Sequence, residues 1–346
     1  MRAVVYEGPD RVAVREVPDA RVEEAGDALV RVTLAAICGS DLHFVHGKAP
    51  LDPGETIGHE AVGVVEAVGS GVTRFRPGQR VVMAFDIACG DCWFCRAGQT
   101  QLCTSFRNLG AGAFGGGLGG AQADLVRVPA ADTNLLAIPD ALDDERALFL
   151  GDVLTTGVYG AAVPAIRPGD TVAVVGAGPI GYFCAQAALL HDPARVLVLD
   201  RDAARLELAR SIGAEPIDVT ARHAQVAVEA VTEGRGADVA IEAVGTPEAF
   251  ASAIDVVRSG GRVSVVGMFT SETFPAQLGI WGARSLDVRF AGIGPVHTWW
   301  EAARDAVLAG RIDPLPIISH RLPLDEAAHG YELFASRRAT KVVLRP

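Results

Sequence analysis

The sequence predicts a two-domain α/β chain in which a mostly β domain precedes a doubly wound parallel sheet. Three observations predict it. The chain has 346 residues, enough for two domains of ~100 to 200 residues each. Between residues 171 and 267, Val-rich runs alternate with helical segments, the pattern of a parallel sheet covered on both faces. Before them, short Val-rich stretches are punctuated by Gly8-Pro9 and Arg76-Pro77-Gly78-Gln79, which is turn chemistry between short strands.

Composition narrows the function classes. Hydrophobic residues make up 49%, charged residues 21%, and 39 residues are glycine, so the chain reads as folded rather than disordered. The net charge of −11 argues against nucleic acid or an acidic membrane as partner, because both need clustered Lys and Arg. A small-molecule partner is expected instead. The apolar run before Glu7 and Asp10 is too short for a signal peptide, so the expected location is cytoplasmic. Residues 171–190 are twenty without a charge, long enough to span a bilayer. Gly176, Gly178, Pro179 and Gly181 within them fit a buried strand, a tight turn and a buried helix better.

In chain order, the first chemical feature is Cys38 in ICGSDLH, followed by His59 and Glu60 in GHE. A thiolate, an imidazole and a carboxylate are ligand types of a catalytic zinc that keeps a position open for water or substrate. Taken singly, a Cys is usually core and a His usually just hydrogen-bonded. Next come Cys89, Cys92, Cys95 and Cys103, four of the six cysteines within fifteen residues. That spacing lets one lobe wrap four thiolates around a tetrahedral structural zinc. An iron–sulfur cluster or a redox pair is the alternative at this point. Seven glycines then fall in residues 110–120, read either as a flexible connection or as backbone lining a cleft.

Residues 170–181, DTVAVVGAGPIG, read as a strand over 172–175 entering a GxGxxG turn at Gly176, Gly178 and Gly181. Glycines there allow the tight turn and let backbone approach a pyrophosphate at the N-terminus of the next helix, predicted over 180–190 with Pro179 before it. A second strand, 195–199, ends at Asp200, nineteen residues past Gly181. An acid at that spacing binds adenosine ribose hydroxyls and repels a 2′-phosphate, favouring NAD over NADP. Arg201 and Arg205 stand close enough in sequence to soften that preference. Helix 203–212, strand 237–244, helix 247–258 and strand 262–267 continue the alternation. Helix 299–309 and a strand over 341–344 are expected to return to the β domain.

At this point the residues resemble a known family. GHE, the CxxCxxCx7C lobe, Arg167-Pro168-Gly169-Asp170 and the GxGxxG turn stand in the order found in zinc-containing medium-chain alcohol dehydrogenases, and the match covers essentially the whole chain. The resemblance implies a GroES-like β domain (residues 1–153 and 293–346) plus a Rossmann NAD-binding domain (154–292), with the active site between them. It implies two zinc ions per chain, one catalytic and one structural, with NAD as hydride carrier, and a homo-oligomer, dimer or tetramer, formed by edge pairing near residues 286–293. Trp281, Trp299 and Trp300 are candidates for that interface or for core. The resemblance also supplies the third protein ligand of the catalytic zinc: Asp152 in GDVLTTG matches the branch that uses aspartate. Cys38, His59 and Asp152 would hold the metal, with Glu60 beside them or as an alternate ligand. Ser40 and His43 match a proton relay. Thr156 and Ile180 match residues that press on the nicotinamide, Val244 and Val266 line its other side, Phe85 matches an aromatic wall of the substrate pocket, and Lys341 falls where a cation meets the pyrophosphate. Gly39 stands where an arginine often contacts phosphate, which predicts looser NAD binding.

The substrate is the least legible feature. Residues 116–140 and the segment after them look closest to formaldehyde dehydrogenase relatives. An S-hydroxymethylglutathione pocket would use Arg107, four residues past Cys103, but its acidic companion is missing near Lys48 and Ala49. The main expectation is a small or medium primary or secondary alcohol and its aldehyde or ketone. Polyol or threonine dehydrogenase is the nearest enzyme rival; a zinc-free quinone reductase and a non-catalytic NAD-binding protein are the others.

Overall fold

The structure, a computed structural model, describes residues 1–270 and 273–346. The chain forms two compact units, Met1–Asp152 with Pro295–Pro346, and Val153–Gly294.

The first unit is built on a seven-stranded sheet. Strand Ala28–Ala36 is its centre, paired antiparallel with Glu60–Val68 on one side and, at opposite ends of its other side, with Leu125–Val128 and with Val342–Arg345. Beyond Glu60–Val68 lie Arg80–Met83 and Leu135–Ala137, and His320–Pro323 runs parallel to Val342–Arg345 at the far edge. The strand at the chain end therefore closes this unit, as expected. Inward residues such as Val30, Val32, Val65, Val81 and Met83 form one core. Tyr6, Ile37, Ile57, Tyr331 and Val342 form a second.

In the second unit six strands run parallel in the spatial order Glu215–Asp218, Arg195–Asp200, Thr171–Val175, Ala237–Glu242, Val257–Val265, Asp287–Phe290. Alternate residues serve opposite faces. Val172, Val174, Val239 and Ile241 pack with Ala185 and Ala188 of helix Pro179–Leu189, whereas Ala173, Val175, Ala240 and Val265 pack with Phe250 and Ala253 of helix Pro247–Val256. This two-faced burial is why the strands read as continuous apolar runs. The order reverses between Thr171–Val175 and Ala237–Glu242, the switch point at which such sheets bind ligands.

The uncharged stretch 171–190 resolves into the Thr171–Val175 strand, a turn and the Pro179–Leu189 helix. Among the described residues no helix is long and apolar enough to cross a membrane. In the second unit the sequence predicts neither strand Glu215–Asp218 nor helices Ala224–Val231 and Leu278–Ala283, whereas strand Asp287–Phe290 falls in the edge expected near residues 286–293. Glu215–Asp218 is a sheet edge of four residues with an acid at each end, so it lacks the apolar run that marks a central strand.

Candidate active site

The first unit brings Cys38, His59, Glu60 and Asp152 together, each buried, with one ligand atom apiece all within 4.8 Å of one another. Asp152 Oδ2 lies 3.3 Å from His59 Nε2 and 3.5 Å from Cys38 Sγ. The fold aims these groups from separate elements. Cys38 follows the central strand and precedes helix Asp41–Val45, while Glu60 opens the neighbouring strand. Gly58, just before His59, has φ +94°, and a Cβ there would collide with the Gln122 side chain; glycine is required by both conformation and space. The glycine-rich segment is packed rather than loose: side chains at Gly110 and Gly120 would collide with the Ile57–Gly58 backbone, so the loop braces the approach to His59.

Asp41, which the sequence reading passed over, orients this group. Its Oδ1 faces His59 Nδ1 at 3.0 Å, and its Oδ2 accepts the Cys38 amide (2.9 Å) and Gln122 Nε2 (3.2 Å). The Tyr331 hydroxyl donates to Gln122 Oε1 at 2.9 Å. With Nδ1 engaged, His59 Nε2 is the nitrogen that faces Asp152, the orientation a metal-binding imidazole takes. A hint existed in sequence: an acid three residues past the cysteine. Ser40 Oγ lies 3.2 Å from His59 Nε2, and the Phe85 ring is 5.9 Å from the His59 ring, centroid to centroid. Burial, then the Lys48 and His46 charges, lower the pKa of His43.

The four lobe cysteines also converge within 4.8 Å. Cys92 Sγ is 3.5 Å and Cys89 Sγ 3.9 Å from Cys95 Sγ. These separations are too long for a disulfide, whose S–S bond is about 2.05 Å. They suit a tetrahedron of Zn–S bonds of about 2.3 Å, whose sulfurs stand ~3.8 Å apart. Backbone amides point at the sulfurs: Cys89 N and Ser105 N donate to Cys103 Sγ, and Cys92 N to Cys89 Sγ, each at 3.3 Å. Amide donors at Cys95 and Thr104 pull the Cys92 thiol down to about 6, toward the thiolate a metal needs.

In the second unit the turn after Thr171–Val175 has Gly176 at φ +98°, where a Cβ would collide with Val244 Cγ2; one on Gly181 would collide with the Gly176 carbonyl oxygen. Gly178 caps helix Pro179–Leu189, with Pro179 in its first turn. Asp200 ends the neighbouring strand; its Oδ2 accepts the Ala177 amide (2.6 Å) and its Oδ1 those of Arg201 (2.7 Å) and Asp202 (3.0 Å). Arg205 reaches to within 3.8 Å of where a Gly178 Cβ would stand. Thr156 is buried and its hydroxyl has no partner among the described residues.

Two family models match. Residues 24–140 fit the alcohol dehydrogenase GroES-like domain and residues 179–306 the zinc-binding dehydrogenase domain. The chain is 40% identical to a probable zinc-binding alcohol dehydrogenase of Mycobacterium tuberculosis, over 100% of this chain and 89% of that one. An alcohol dehydrogenase structure from Thermus sp. ATN1 superimposes with a TM-score of 0.96 at 45% identity, covering 100% of this chain and 99% of the other. The chain belongs to the zinc-dependent medium-chain alcohol dehydrogenases. A zinc-binding dehydrogenase of Sinorhizobium meliloti, bound to NADP, matches at 31% identity with a TM-score of 0.86 over 100% of this chain and 99% of that one.

The dehydrogenase is thus a GroES-like domain plus a Rossmann domain, and zinc and NAD are its cofactors. Its residues fit both. Four convergent thiols and the buried sulfur, nitrogen and carboxylate set supply zinc ligand chemistry, and Gly178 at the helix N-terminus faces open space, a Cβ there meeting nothing nearer than Arg205 at 3.8 Å, where a pyrophosphate can approach. One expected contact is placed differently. Lys341 was expected at the pyrophosphate, yet its ammonium has no exposed surface and faces both Glu60 oxygens, at 2.8 Å and 2.6 Å. A cation buried there is held by its counter-charge, since an unpaired one would be too costly. Val266 lies in the apolar cluster that holds Cys184 and Ile241, and Val244 is half exposed. Trp300 is also core.

Asp86 was missed as well. It has no exposed surface, and neither carboxyl oxygen has a hydrogen-bond partner among the described residues. Burial pushes its pKa from 3.8 up to about 8. His297 Nδ1 stands 4.0 Å away, but burial lowers His297 to about 4, so it offers no positive charge at neutral pH. At Asp86 the folded chain therefore holds a proton that the unfolded chain has lost, so the contribution of this group to stability falls as pH rises from about 4 to about 8, opposite in sign to that of His297 between about 4 and 6.5. Asp86→Asn removes this titration. The thermal midpoint of that variant should gain on the wild type progressively from pH 5 to pH 8; parallel curves would refute the assignment.

Proposed function

We propose that the chain oxidises a small or medium primary or secondary alcohol, reversibly, with Cys38, His59 and Asp152 holding the catalytic zinc and Cys89, Cys92, Cys95 and Cys103 the structural one. The observation that carries the reading is the buried convergence of Cys38, His59 and Asp152, with Glu60 beside them and paired with Lys341, since three protein ligands leave the fourth position for a substrate oxygen. When bound, zinc supplies Lewis acidity at that oxygen and NAD accepts the hydride. The protein's own groups do the rest. Asp41 keeps His59 in the ligating tautomer, and Glu60, balanced by Lys341, stands ready beside the ligands. His43, lowered in pKa, is neutral near pH 7 and can accept a proton by way of Ser40. Phe85 beside His59 forms an apolar wall that excludes water.

The dinucleotide site is assigned to Gly176, Gly178, Pro179, Ile180 and Gly181, with Asp200 on the adenosine ribose and Thr156 and Val244 flanking the cleft. Asp200→Ala, which leaves Arg201 and Arg205 in place, should move the ratio of kcat/KM for NAD over NADP toward NADP by about 10-fold or more, a shift of about 1.4 kcal/mol or more. An unchanged ratio removes Asp200 from the site.

The second unit's sheet ends at Asp287–Phe290, and Phe290, Leu278 and Ile280 are exposed near it. This edge supports a homo-oligomer, read by light scattering. The substrate class is tested by zinc quantification together with NAD-linked rates on alcohols, polyols, formaldehyde, and formaldehyde plus glutathione. Rates appearing only with glutathione would overturn it.

A further inference from the structure

Glu242 is a fully buried carboxylate at the switch point that no role above absorbs. It is the last residue of strand Ala237–Glu242, with no exposed surface. Its Oε1 accepts the amides of Val244 (2.7 Å) and Gly245 (2.8 Å). Its main-chain oxygen accepts those of Val266 (2.8 Å) and Gly267 (3.1 Å). One residue thus takes four amides from the two segments that leave adjacent parallel strands. The remaining oxygen, Oε2, has no hydrogen-bond partner among the described residues and lies 2.6 Å from where a Gly267 Cβ would stand, so glycine at 267 is what admits the carboxylate.

The consequence reaches the glycine turn. Val244, whose amide Glu242 holds, packs its Cγ2 against Gly176, and the Ala243 amide donates to the Val175 carbonyl at 3.0 Å. We infer that Glu242 is a positioning residue of the dinucleotide cleft, its Oε1 pinning the 243–245 turn so that Val244 is held over Gly176. Two amides share this one acceptor, at 2.7 and 2.8 Å, and a buried loop amide left without its acceptor is costly. The truncated side chain therefore frees the turn beside the cofactor without touching any zinc ligand.

This inference rests on the NAD-binding reading above, and the test separates the two. Equilibrium binding of NAD+ is measured on zinc-loaded wild type, Glu242→Gln and Glu242→Ala, with KM and kcat, zinc content and the thermal midpoint without dinucleotide. Glutamine keeps an acceptor for the two amides and should hold the Kd within about 3-fold. Alanine should raise both Kd and KM for NAD+ by about 10-fold or more, with kcat at saturation within about 3-fold and two zinc ions retained. Should the alanine variant not fold, Glu242→Asp, which draws the carboxylate back by one methylene, should raise the Kd. Wild-type Kd in a folded alanine or aspartate variant overturns the inference, as does a glutamine variant that loses as much as alanine. A wild type that binds no NAD+ overturns the NAD reading itself.

Discussion

Asp152→Ala should leave one zinc per chain instead of two and lower NAD-linked turnover by about 10³-fold or more, about 4 kcal/mol of transition-state stabilisation. The side chain is buried, 3.3 Å from His59 Nε2 and 3.5 Å from Cys38 Sγ, so removing it opens the metal cage at its centre. The remaining thiol and imidazole cannot close a three-ligand site by themselves, and Glu60 is already paired with Lys341. The control readout is NAD+ binding, which should stay near the wild type because the glycine turn lies in the other unit, while the thermal midpoint should fall by no more than the lost zinc accounts for. Asp152→Glu, which keeps a carboxylate, should recover part of both the zinc and the rate. Full turnover with two bound zinc ions in the alanine variant would show that Asp152 is not a ligand.

Cys103→Ser should remove the other zinc and cost the most stability. The 89–103 lobe has little core of its own: its regular structure is two short helices, Trp93–Arg96 and Thr100–Leu102, and Trp93 is 67% exposed. A lobe so poor in buried apolar surface takes its folding free energy from metal binding, apparent values for such sites being about 10 kcal/mol or more. The damage would spread through the lobe's base. Thr100 Oγ1 is bonded to His297 Nδ1 (2.9 Å), and Asn134 Oδ1 is shared by His297 Nε2 (2.8 Å) and the Ala88 amide (2.9 Å). These bonds tie the lobe to helix Val296–Leu308. The expected result is one zinc per chain, early proteolytic cleavage within 89–103 and a thermal midpoint lowered by ~10 °C or more. An unchanged midpoint with one zinc lost would mean that the lobe is held by packing instead.

Much of the fold was legible because its signals are local. The run 171–181 announces strand, turn and helix within eleven residues, and the structure has Thr171–Val175 and Pro179–Leu189 there. Edge strand Glu215–Asp218 was not legible, since a sheet edge needs no apolar run and is defined by its neighbour's hydrogen bonds; the edge at Asp287–Phe290 entered only through the family resemblance. The candidate metal groups divide the same way. Four cysteines in fifteen residues announce themselves, whereas Asp152 entered only through the family resemblance.

By itself the sequence determined two domains, a dinucleotide turn, a four-thiol lobe and the ligand types of a second metal centre, because each is encoded by residue type at short spacing. Only the tertiary structure decided which distant groups meet. It paired Lys341 with Glu60 across 281 positions of chain, linked Tyr331 through Gln122 to Asp41, and buried Asp86 with no hydrogen-bond partner for its carboxyl oxygens among the described residues. The physical reason is that a buried charge or polar group is satisfied by whichever neighbour packing delivers, and that neighbour has no fixed offset in sequence.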